Sequence, residues 1–194
     1  MTEQEKALNG LLYNPNKNEQ LIAEILKCKQ LCFEFNQVPL HLFEDRVASL
    51  KRIISNVKGT PIIFSPFYCD YGRNITIGEN FFANHNLVLL DGAKITFGDN
   101  VFIGPNCCLT TAGHPIDKEQ RNEGLEFAYP ITIGNNVWIG ANVTILPNVT
   151  VGDNSIIGAG SVVTRDIPSD VIAVGNPCKV LRPITEDDKN KYKR

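Results

Sequence analysis

Three histidines, His41, His85 and His114, are the side chains of this sequence best suited to exchange protons near neutral pH. His114 lies between Gly113 and Pro115 in a polar stretch, where we expect an exposed loop. Loops held on a rigid scaffold often carry function, and an imidazole there can act as a general base. We expect a structural or surface role for His41, which lies in a helical region.

Other common catalytic arrangements find little support in the sequence. A catalytic zinc needs three protein ligands, whereas the later part of the chain holds only His85 and His114, far apart and without a His-x₃₋₅-His pair. There is no Gly-x-Ser-x-Gly motif, no P-loop and no Gly-x-Gly-x-x-Gly. We therefore expect no metal and no serine or cysteine nucleophile.

The cysteines also lack the spacing of a metal site, since none forms a Cys-x-x-Cys pair. Two of them are four residues apart, so a helix would place both thiols on one face. We expect reduced thiols in packed positions. The six cysteines are Cys28, Cys32, Cys69, Cys107, Cys108 and Cys178.

The composition describes a globular chain of 194 residues, 43% of them hydrophobic and 21% charged. A net charge of −2 argues against a nucleic-acid partner, which attracts basic surfaces. No apolar run approaches the roughly 18 residues that span a bilayer. The polar N-terminus differs from a signal peptide, so we expect a cytoplasmic protein with no membrane partner.

Residues 1–58 have the pattern of an α-helical segment. A Thr-x-x-Glu capping box at Thr2 predicts the start of a short first helix. Apolar residues at helical spacing predict a second helix over 19–35 and a third over 43–54. Gly59 then marks the boundary of the segment.

Beyond this boundary the apolar period becomes six residues. Six is an even number, so a strand would place all these side chains on one face. Turns at the same interval fold the chain into short flat pieces that stack and bury a continuous column. The pattern predicts a mainly β, parallel hexapeptide solenoid over residues 59–183. The clearest repeat is Ile133, Ile139, Ile145, Val151, Ile157 and Val163, with glycine following four of them.

Two segments interrupt the repeat. The frame shifts by two residues around 91–94, and a polar stretch over 110–130 contains His114. A solenoid tolerates such an insertion as an external loop, often on its binding face. Residues 184–194 are charged, which predicts a solvated or short helical tail.

The chain resembles the maltose/galactoside O-acetyltransferase family of hexapeptide-repeat acyltransferases over almost its whole length. The resemblance implies a left-handed parallel β-helix and a homotrimer with active sites between subunits. It implies transfer of acetyl from acetyl-CoA to a hydroxyl, commonly of a maltose-, glucose- or galactoside-type sugar. It rests on Leu-Cys-Phe-Glu-Phe-Asn at 31–36, Cys-Asp-Tyr-Gly at 69–72, Phe-Ala-Asn-His-Asn at 82–86, Thr-Ala-Gly-His-Pro at 111–115, Pro-Ile-Thr-Ile-Gly-Asn-Asn-Val-Trp-Ile-Gly at 130–140, Ile-Gly-Ala-Gly-Ser-Val-Val-Thr at 157–164 and Gly-Asn-Pro-Cys-Lys-Val at 175–180.

The resemblance also implies three catalytic residues. His114 matches the family's base, which would take the proton of the attacking hydroxyl because a neutral alcohol is a poor nucleophile. Asn84 matches an asparagine beside the reaction centre, where its amide would donate to the acceptor or to the developing oxyanion. Glu126 would orient the His114 ring.

Acceptor-binding positions follow from the same resemblance. Asp70 and Glu126 match carboxylates that hydrogen-bond acceptor hydroxyls, as does the amide of Asn84, and Asp91 is a further candidate. Relatives place an acidic residue after the first helix, where this chain has Asn14 and Asn16. Either asparagine would keep a hydrogen bond to a hydroxyl without bringing negative charge.

On the donor side, a tryptophan offers flat apolar area to the pantetheine arm of acetyl-CoA. Small residues let the ligand approach the backbone, and cations meet its phosphates. The matching residues are Trp138, Ala141, Ala159, Gly160, Thr164, Arg165, Lys179 and Arg182.

Two other functions stay open at this stage. One is a xenobiotic or serine acetyltransferase built on the same coil, and the other is a non-catalytic solenoid that binds a partner. The identity of the acceptor and of the hydroxyl it offers also stays open, because many sugars present similar hydroxyls.

Overall fold

A computed structural model describes residues 1–192 and contains an N-terminal helical segment, a parallel β-solenoid and a loop that leaves the solenoid. The α-helices are α1 (Glu3–Leu8), α2 (Glu19–Gln37), α3 (Phe43–Ile53) and α4 (Lys118–Asn122), and 3₁₀ turns span Pro15–Lys17 and Glu186–Asn190. The strands are β1 (Asn56–Val57), β2 (Ile62–Ile63), β3 (Phe67–Cys69), β4 (Ile75–Ile77), β5 (Phe82–Ala83), β6 (Leu87–Leu90), β7 (Ile95–Phe97), β8 (Phe102–Ile103), β9 (Cys108–Thr110), β10 (Ala112–Gly113), β11 (Phe127–Ala128), β12 (Ile131–Ile133), β13 (Trp138–Ile139), β14 (Thr144–Ile145), β15 (Thr150–Val151), β16 (Ile156–Ile157), β17 (Val162–Val163), β18 (Val171–Val174) and β19 (Lys179–Pro183).

Successive strands visit three parallel sheets in turn, so each turn of the solenoid is triangular. Sheet A has the order β1-β4-β7-β12-β15, sheet B the order β19-β18-β16-β13-β8-β5-β2, and sheet C the order β17-β14-β9-β6-β3. β19 pairs antiparallel with β18 at the end of sheet B, and β10 pairs antiparallel with β11 in the loop. The prediction of a mainly β parallel solenoid with N-terminal helices and an extruded loop is confirmed.

The six-residue period arises because each short strand turns one aliphatic side chain inward. Along sheet B, Ile103, Ile139 and Ile157 are in register and almost fully buried, while their preceding neighbours face outward. Burial of each such side chain contributes roughly 1.5–3 kcal/mol, and the columns run the length of the solenoid. The core is therefore a stack of inward columns.

Asparagines turn most of the corners. They adopt positive φ, which asparagine tolerates better than other residues with a β carbon. The glycine two residues earlier serves close stacking instead: a β carbon at Gly140 would lie 2.6 Å from the Ala159 nitrogen. The residues with positive φ at corners are Asn80, Asn86, Asn100, Asn106, Asn136, Asn142, Asn148, Asn154 and Asp170.

One column of these side chains forms a hydrogen-bonded ladder along the solenoid. Each Nδ2 donates to the Oδ1 of the residue one turn further on, and the last acceptor is a carboxylate. The donor–acceptor distances lie between 2.8 and 3.1 Å. The ladder runs through Asn80, Asn100, Asn136, Asn154 and Asp170.

The helical segment packs on the first turns of the solenoid. Helix α2 lies against β3, where Phe35 and Phe67 meet edge to face. Buried Arg46 of α3 donates to the carbonyl oxygens of Val38 and Ile63, so its charge is hydrogen-bonded. The segment thus closes one end of the core.

One predicted boundary differs slightly from the structure, and the predicted loop and tail contain regular structure. The first solenoid strand begins at Asn56, before the boundary predicted at residue 59, because β1 already pairs with β4. The loop over 110–130 contains regular structure, since β10, α4 and β11 lie within it. The tail forms a 3₁₀ turn over Glu186–Asn190, and the last two residues of the predicted tail, 193 and 194, lie outside the described residues.

Among residues 1–192, no helix is both long enough and apolar enough to cross a bilayer.

The inward columns predict a sharp contrast between neighbouring residues of β12. Ile133 is buried in the core, whereas Thr132 faces outward. Ile133→Ala should destabilise the fold by about 2–5 kcal/mol because it leaves a cavity. Thr132→Ala should change stability by about 0.5 kcal/mol or less. Thermal unfolding measures both, and similar midpoints for the two variants would contradict the inward assignment.

Candidate functional site

The acceptor-side candidates lie at one edge of the prism, which carries the longest connections among residues 1–192. In sheets B and C the first turns repeat every 20 residues, as in the pairing of Phe82 with Phe102, while later turns repeat every 18, as in Trp138 with Ile156. The extra residues fall between sheet C and sheet A, at 70–74 and 91–94, and the long loop 110–130 leaves the same edge. We call this edge the loop corner.

The loop corner and the helical segment enclose a cavity of about 270 Å³, here called the corner cavity. Its walls combine hydrogen-bonding groups with aliphatic side chains from α2, a mixture suited to a small hydroxylated molecule. The cavity is lined by Tyr13, Pro15, Asn16, Ile22, Ile25, Leu26, Asp70, Tyr71, Gly92, Ala112 and Glu126.

His114 is exposed beside this cavity, and one of its ring nitrogens is fixed. Its Nδ1 lies 2.9 Å from the carbonyl oxygen of Leu125. Because a carbonyl only accepts, Nδ1 donates in this contact, so Nε2 is the nitrogen that carries the lone pair when the ring is neutral. The hydrogen bond thus orients the ring with Nε2 as the nitrogen that can act as a general base.

Glu126 is half-buried between this imidazole and Tyr13. The Tyr13 hydroxyl donates to its Oε2 at 3.1 Å. Burial raises the pKa of Glu126, while the Tyr13 hydrogen bond and the nearby His114 ring act in the opposite direction. Burial beside Glu126 also raises the pKa of Tyr13, so that hydroxyl stays a donor. The carboxylate can accept from the acceptor or stabilise a charged His114.

Tyr13 also ties the loop to the helical segment. Its backbone N–H donates to the Glu126 oxygen and its own oxygen accepts from the Glu126 N–H, at 3.0 and 2.8 Å. Tyr13 was not predicted as a site residue. Its partner Glu126 lies more than a hundred residues away, and no local pattern indicates such a contact.

Asp70 projects into the corner cavity and is held by a lysine from α2. Lys29 Nζ lies 2.6 Å from Asp70 Oδ1 and also donates to the Cys69 carbonyl at 3.2 Å. This ion pair fixes the carboxylate that the sequence predicted for acceptor binding. Lys29 was not predicted, since it looks like an ordinary surface lysine on an amphipathic helix.

Asp91 is not a cavity residue, which corrects its assignment as an acceptor contact. Its exposed fraction is 0%, and its Oδ1 accepts from the backbone N–H groups of Asp70 and Tyr71 at 2.9 and 2.8 Å. Burial raises the pKa of Asp91 to about 6. The side chain therefore points inward and positions the neighbouring turn, where Asp70 reaches the cavity.

The two asparagines after the first helix have different surroundings. Asn14 is buried, and its Nδ2 donates to the Glu123 carbonyl at 2.6 Å, so it holds the loop. Asn16 is exposed and lines the corner cavity. Of the two, Asn16 is the one available to a ligand.

Asn84 lies at a different edge of the prism, between sheets B and C, which we call the groove corner. Its Oδ1 accepts from the His85 N–H at 2.8 Å, which orients the amide and leaves Nδ2 as a donor. Strand β6 separates this corner from the loop corner, and four residues of strand span about 13 Å. One protomer therefore does not bring Asn84 to His114.

Trp138 stands beside Asn84 over a shallow groove on sheet B. Its side chain is 54% exposed, and it is in register with Phe102, which is 45% exposed. These two rings, with Phe82, make a flat apolar strip. Such a strip fits a thin, flexible chain such as pantetheine.

The remaining predicted donor residues fall into two groups. Ala141, Ala159 and Gly160 turn the groove corner in successive turns, and the Gly160 N–H donates to the Ala141 carbonyl at 2.8 Å. Thr164 and Arg165 are exposed and follow β17, so they lie at the loop corner. Within one protomer the predicted donor residues are thus divided between two edges.

The basic pair is also divided. Lys179 is exposed and pairs with Val174 near the groove corner. Arg182 is engaged by the chain's own tail, since its guanidinium binds both oxygens of Asp188 at 2.8 and 2.7 Å. Because both partners are partly open to solvent, this pair contributes little stability and can exchange for another anion.

The geometry provides an oriented imidazole beside a carboxylate and a polar cavity, and an apolar strip at a second edge. This combination can deprotonate a hydroxyl at one edge and hold a long anionic co-substrate at the other. Cysteine and serine side chains do not line the corner cavity among residues 1–192.

Known relatives and solved structures match the chain over nearly its full length, and two family models match parts of it. The family model "Maltose acetyltransferase hexapeptide capping motif" matches residues 6–59, and "Bacterial transferase hexapeptide (six repeats)" matches 130–165. The galactoside O-acetyltransferase of Escherichia coli K12 is 46% identical over 192 residues, covering 99% of this chain and 93% of the relative.

Two solved structures have the same architecture. A maltose O-acetyltransferase from Clostridium difficile 630 superimposes with a TM-score of 0.92 at 48% identity, covering 96% of this chain and 99% of that one. A galactoside acetyltransferase in complex with coenzyme A gives a TM-score of 0.95 at 45% identity, covering 100% and 96%.

The buried Asp91 predicts a measurable pH dependence of stability. Its pKa of about 6 lies above its ordinary value of 3.8, so between these values the folded state binds a proton that the unfolded chain has lost. Stability therefore falls as pH rises through this window. Relative to Asp91→Asn, the wild-type free energy of unfolding should fall by roughly 2 kcal/mol between about pH 4 and about pH 7.

Denaturant titrations of both proteins at several pH values measure this difference. Asp187→Asn, a change of an exposed aspartate in the tail, is the matched control and should leave the pH dependence as in the wild type. A difference between wild type and Asp91→Asn that stays constant with pH would contradict the assignment.

Proposed function

The chain belongs to the maltose/galactoside O-acetyltransferase family of hexapeptide-repeat acyltransferases, and we propose that it transfers the acetyl group of acetyl-CoA to a hydroxyl of a sugar. The observation that carries this proposal is the His114 ring, oriented by its hydrogen bond to the Leu125 carbonyl and set beside Glu126 at the corner cavity. The coenzyme A held by the similar galactoside acetyltransferase supports acetyl-CoA as the co-substrate.

In the proposed reaction, the acceptor oxygen attacks the thioester carbonyl while His114 Nε2 takes its proton. The imidazolium that forms is stabilised by the carboxylate of Glu126. The tetrahedral intermediate then collapses, the carbon–sulfur bond breaks, and the coenzyme A sulfur leaves with the proton from His114. The acetyl group passes directly to the acceptor, and no acyl-enzyme forms.

The acceptor binds in the corner cavity in this proposal. Asp70 and Glu126 accept hydrogen bonds from its hydroxyls, and Asn16 contributes an amide. Because Lys29 already occupies one Asp70 oxygen, the other is the one offered to the acceptor. Hydrogen bonds at buried polar groups discriminate strongly against ligands that lack the matching hydroxyl.

Acetyl-CoA lies along the groove corner, with its pantetheine arm on Trp138 and the backbone near Ala141 and Ala159. Lys179 meets its phosphates as a point charge. Arg182 joins it by exchanging the Asp188 carboxylate for a phosphate, which offers the same two-oxygen geometry.

A homotrimer completes the active site in this proposal. The loop corner of one subunit faces the groove corner of its neighbour, which brings Asn84 and Trp138 of one chain to His114 of the next. Asn84 Nδ2 then donates to the oxyanion of the tetrahedral intermediate. The half-exposed aromatic strip of sheet B supports this assembly, because it leaves an apolar surface uncovered in the single chain.

The first test removes the base. His114→Ala should lower kcat by about 10²–10⁴-fold because the acceptor hydroxyl loses its proton acceptor. Thiol release from acetyl-CoA, screened over sugars and other hydroxylated compounds, measures turnover, and calorimetry measures acetyl-CoA binding. His41→Gln changes an exposed histidine away from the cavity and is the control.

Near-normal turnover of His114→Ala would contradict its role as the base. A folded trimer that binds no acetyl-CoA would instead favour a non-catalytic binding module, and release of thiol with serine or a xenobiotic but with no sugar would favour the other acetyltransferase classes.

A second test asks whether the sites form between subunits. Heterotrimers of His114→Ala and Asn84→Ala chains, co-expressed with different tags and purified by both, should regain about one-third of wild-type activity. Each mixed ring then has one interface with an intact His114 facing an intact Asn84. Activity in such heterotrimers reports on subunit arrangement because neither parent is active.

The matched control pairs His114→Ala with Glu126→Ala chains. Both residues lie at the loop corner of one chain, so no mixed interface regains both. Heterotrimers of this pair should show no activity beyond that of the parents. Equal recovery in the two mixtures, or none in the first, would contradict sites shared between subunits.

A further inference from the structure

Three of the six cysteines meet behind the corner cavity, although their sequence spacing predicted no metal site. Cys28 and Cys32 lie one turn apart on α2, and Cys69 ends β3. The Cys69 Sγ lies 3.5 Å from that of Cys28 and 3.8 Å from that of Cys32, and all three sulfur atoms lie within 4.8 Å of one another. The sequence could indicate only the pair on the helix.

These distances match those between sulfur ligands that share one metal ion. Metal–sulfur bonds are about 2.3 Å long, so two thiolates on the same tetrahedral ion lie about 3.8 Å apart. Without an ion, the same contacts are hydrogen bonds in which one thiol donates to another. The sulfur atoms need almost no rearrangement to bind an ion between them.

The cluster is sealed from water. Cys32 and Cys69 are fully buried, and Cys28, the outermost, is 4% exposed. Carboxylate and imidazole groups do not join the three thiols as potential ligands among residues 1–192. A structural zinc site takes four protein ligands, whereas a soft monovalent ion such as Cu(I) is satisfied by thiolates in lower number.

We propose that Cys28, Cys32 and Cys69 form a binding site for one Cu(I) ion with three sulfur ligands. Binding replaces the thiol protons, which leave to solvent, and involves no change in the oxidation state of copper or sulfur. The test of this site does not use acetyl-transfer activity.

The surroundings offset part of the negative charge that the thiolates bring. Lys29 of α2 donates to the carbonyl of Cys69, so its ammonium group lies close to the cluster.

The position of the cluster links the ion to the cavity wall. Cys69 precedes Asp70, and Lys29 follows Cys28 and binds Asp70. A metal shared by α2 and β3 would hold this ion pair in place and strengthen the docking of the helical segment. Bound Cu(I) should therefore raise the thermal midpoint of the whole chain by mass action.

The experiment loads the reduced full-length protein with Cu(I) under anaerobic conditions in the presence of a competing Cu(I) chelator. One copper per chain should be retained, and X-ray absorption at the copper edge should show three sulfur neighbours. Cys28→Ala and Cys32→Ala should each weaken the affinity by more than about 100-fold, since loss of a ligand exceeds the cost of losing an outer contact.

Cys107→Ala and Cys178→Ala change buried cysteines outside the cluster and are the matched controls, which should bind copper as the wild type does. Zn²⁺ is a second probe. Tight zinc binding without copper retention overturns the copper assignment, as does nitrogen or oxygen coordination. Equal retention by the cluster variants and the controls overturns the site itself. If a cluster variant fails to fold, the wild-type absorption spectrum alone decides.

Discussion

Each turn of the solenoid must bring its inward side chain back to the same column, and the rest of this structure depends on that constraint. Ile103, Ile139 and Ile157 can stack only if the chain between them comes back in register, and the strands leave no freedom to insert residues. Variation is therefore confined to the corners. In this chain almost all of the inserted residues lie at the loop corner, and the candidate acceptor residues lie there for that reason.

The same constraint explains why the candidate site is split. A triangular coil places the polar cavity and the apolar groove on different edges, and the rigid sheet between them keeps the edges apart. A flexible fold could close one onto the other. In the homotrimer that we propose, a second copy brings the two edges together.

The sequence predicted the features whose signal is local or periodic. The spacing of Ile133 and its successors was sufficient for the solenoid, and the capping box at Thr2 is present at the first helix. His114 was found because a glycine and a proline flank it in an interruption of the repeat. The resemblance added the residues of both edges, with Arg165 at the loop corner among them.

The contacts that no local pattern encodes were missed. Tyr13 and Lys29 act through partners far along the chain, and Cys69 joins the helix thiols only because β3 ends beneath α2. The resemblance made Asp91 a candidate acceptor contact, yet its side chain points inward and accepts from backbone N–H groups. A single sequence records which side chains exist at a corner, but the stacking of turns decides which way each one points.

The asparagine ladder is sensitive to one kind of chemical damage, the hydrolysis of a side-chain amide. Each amide is a donor to the next turn and an acceptor from the last, so the row has a direction that ends at Asp170. Hydrolysis of one amide, for example at Asn136, turns its donor into a second carboxylate oxygen facing Asn154. Two oxygen atoms with like partial charges then face each other in the ladder. The ladder lies at a corner of the solenoid, outside the hydrophobic columns. Hydrolysis of a single side-chain amide would thus interrupt the ladder while leaving the hydrophobic columns in place.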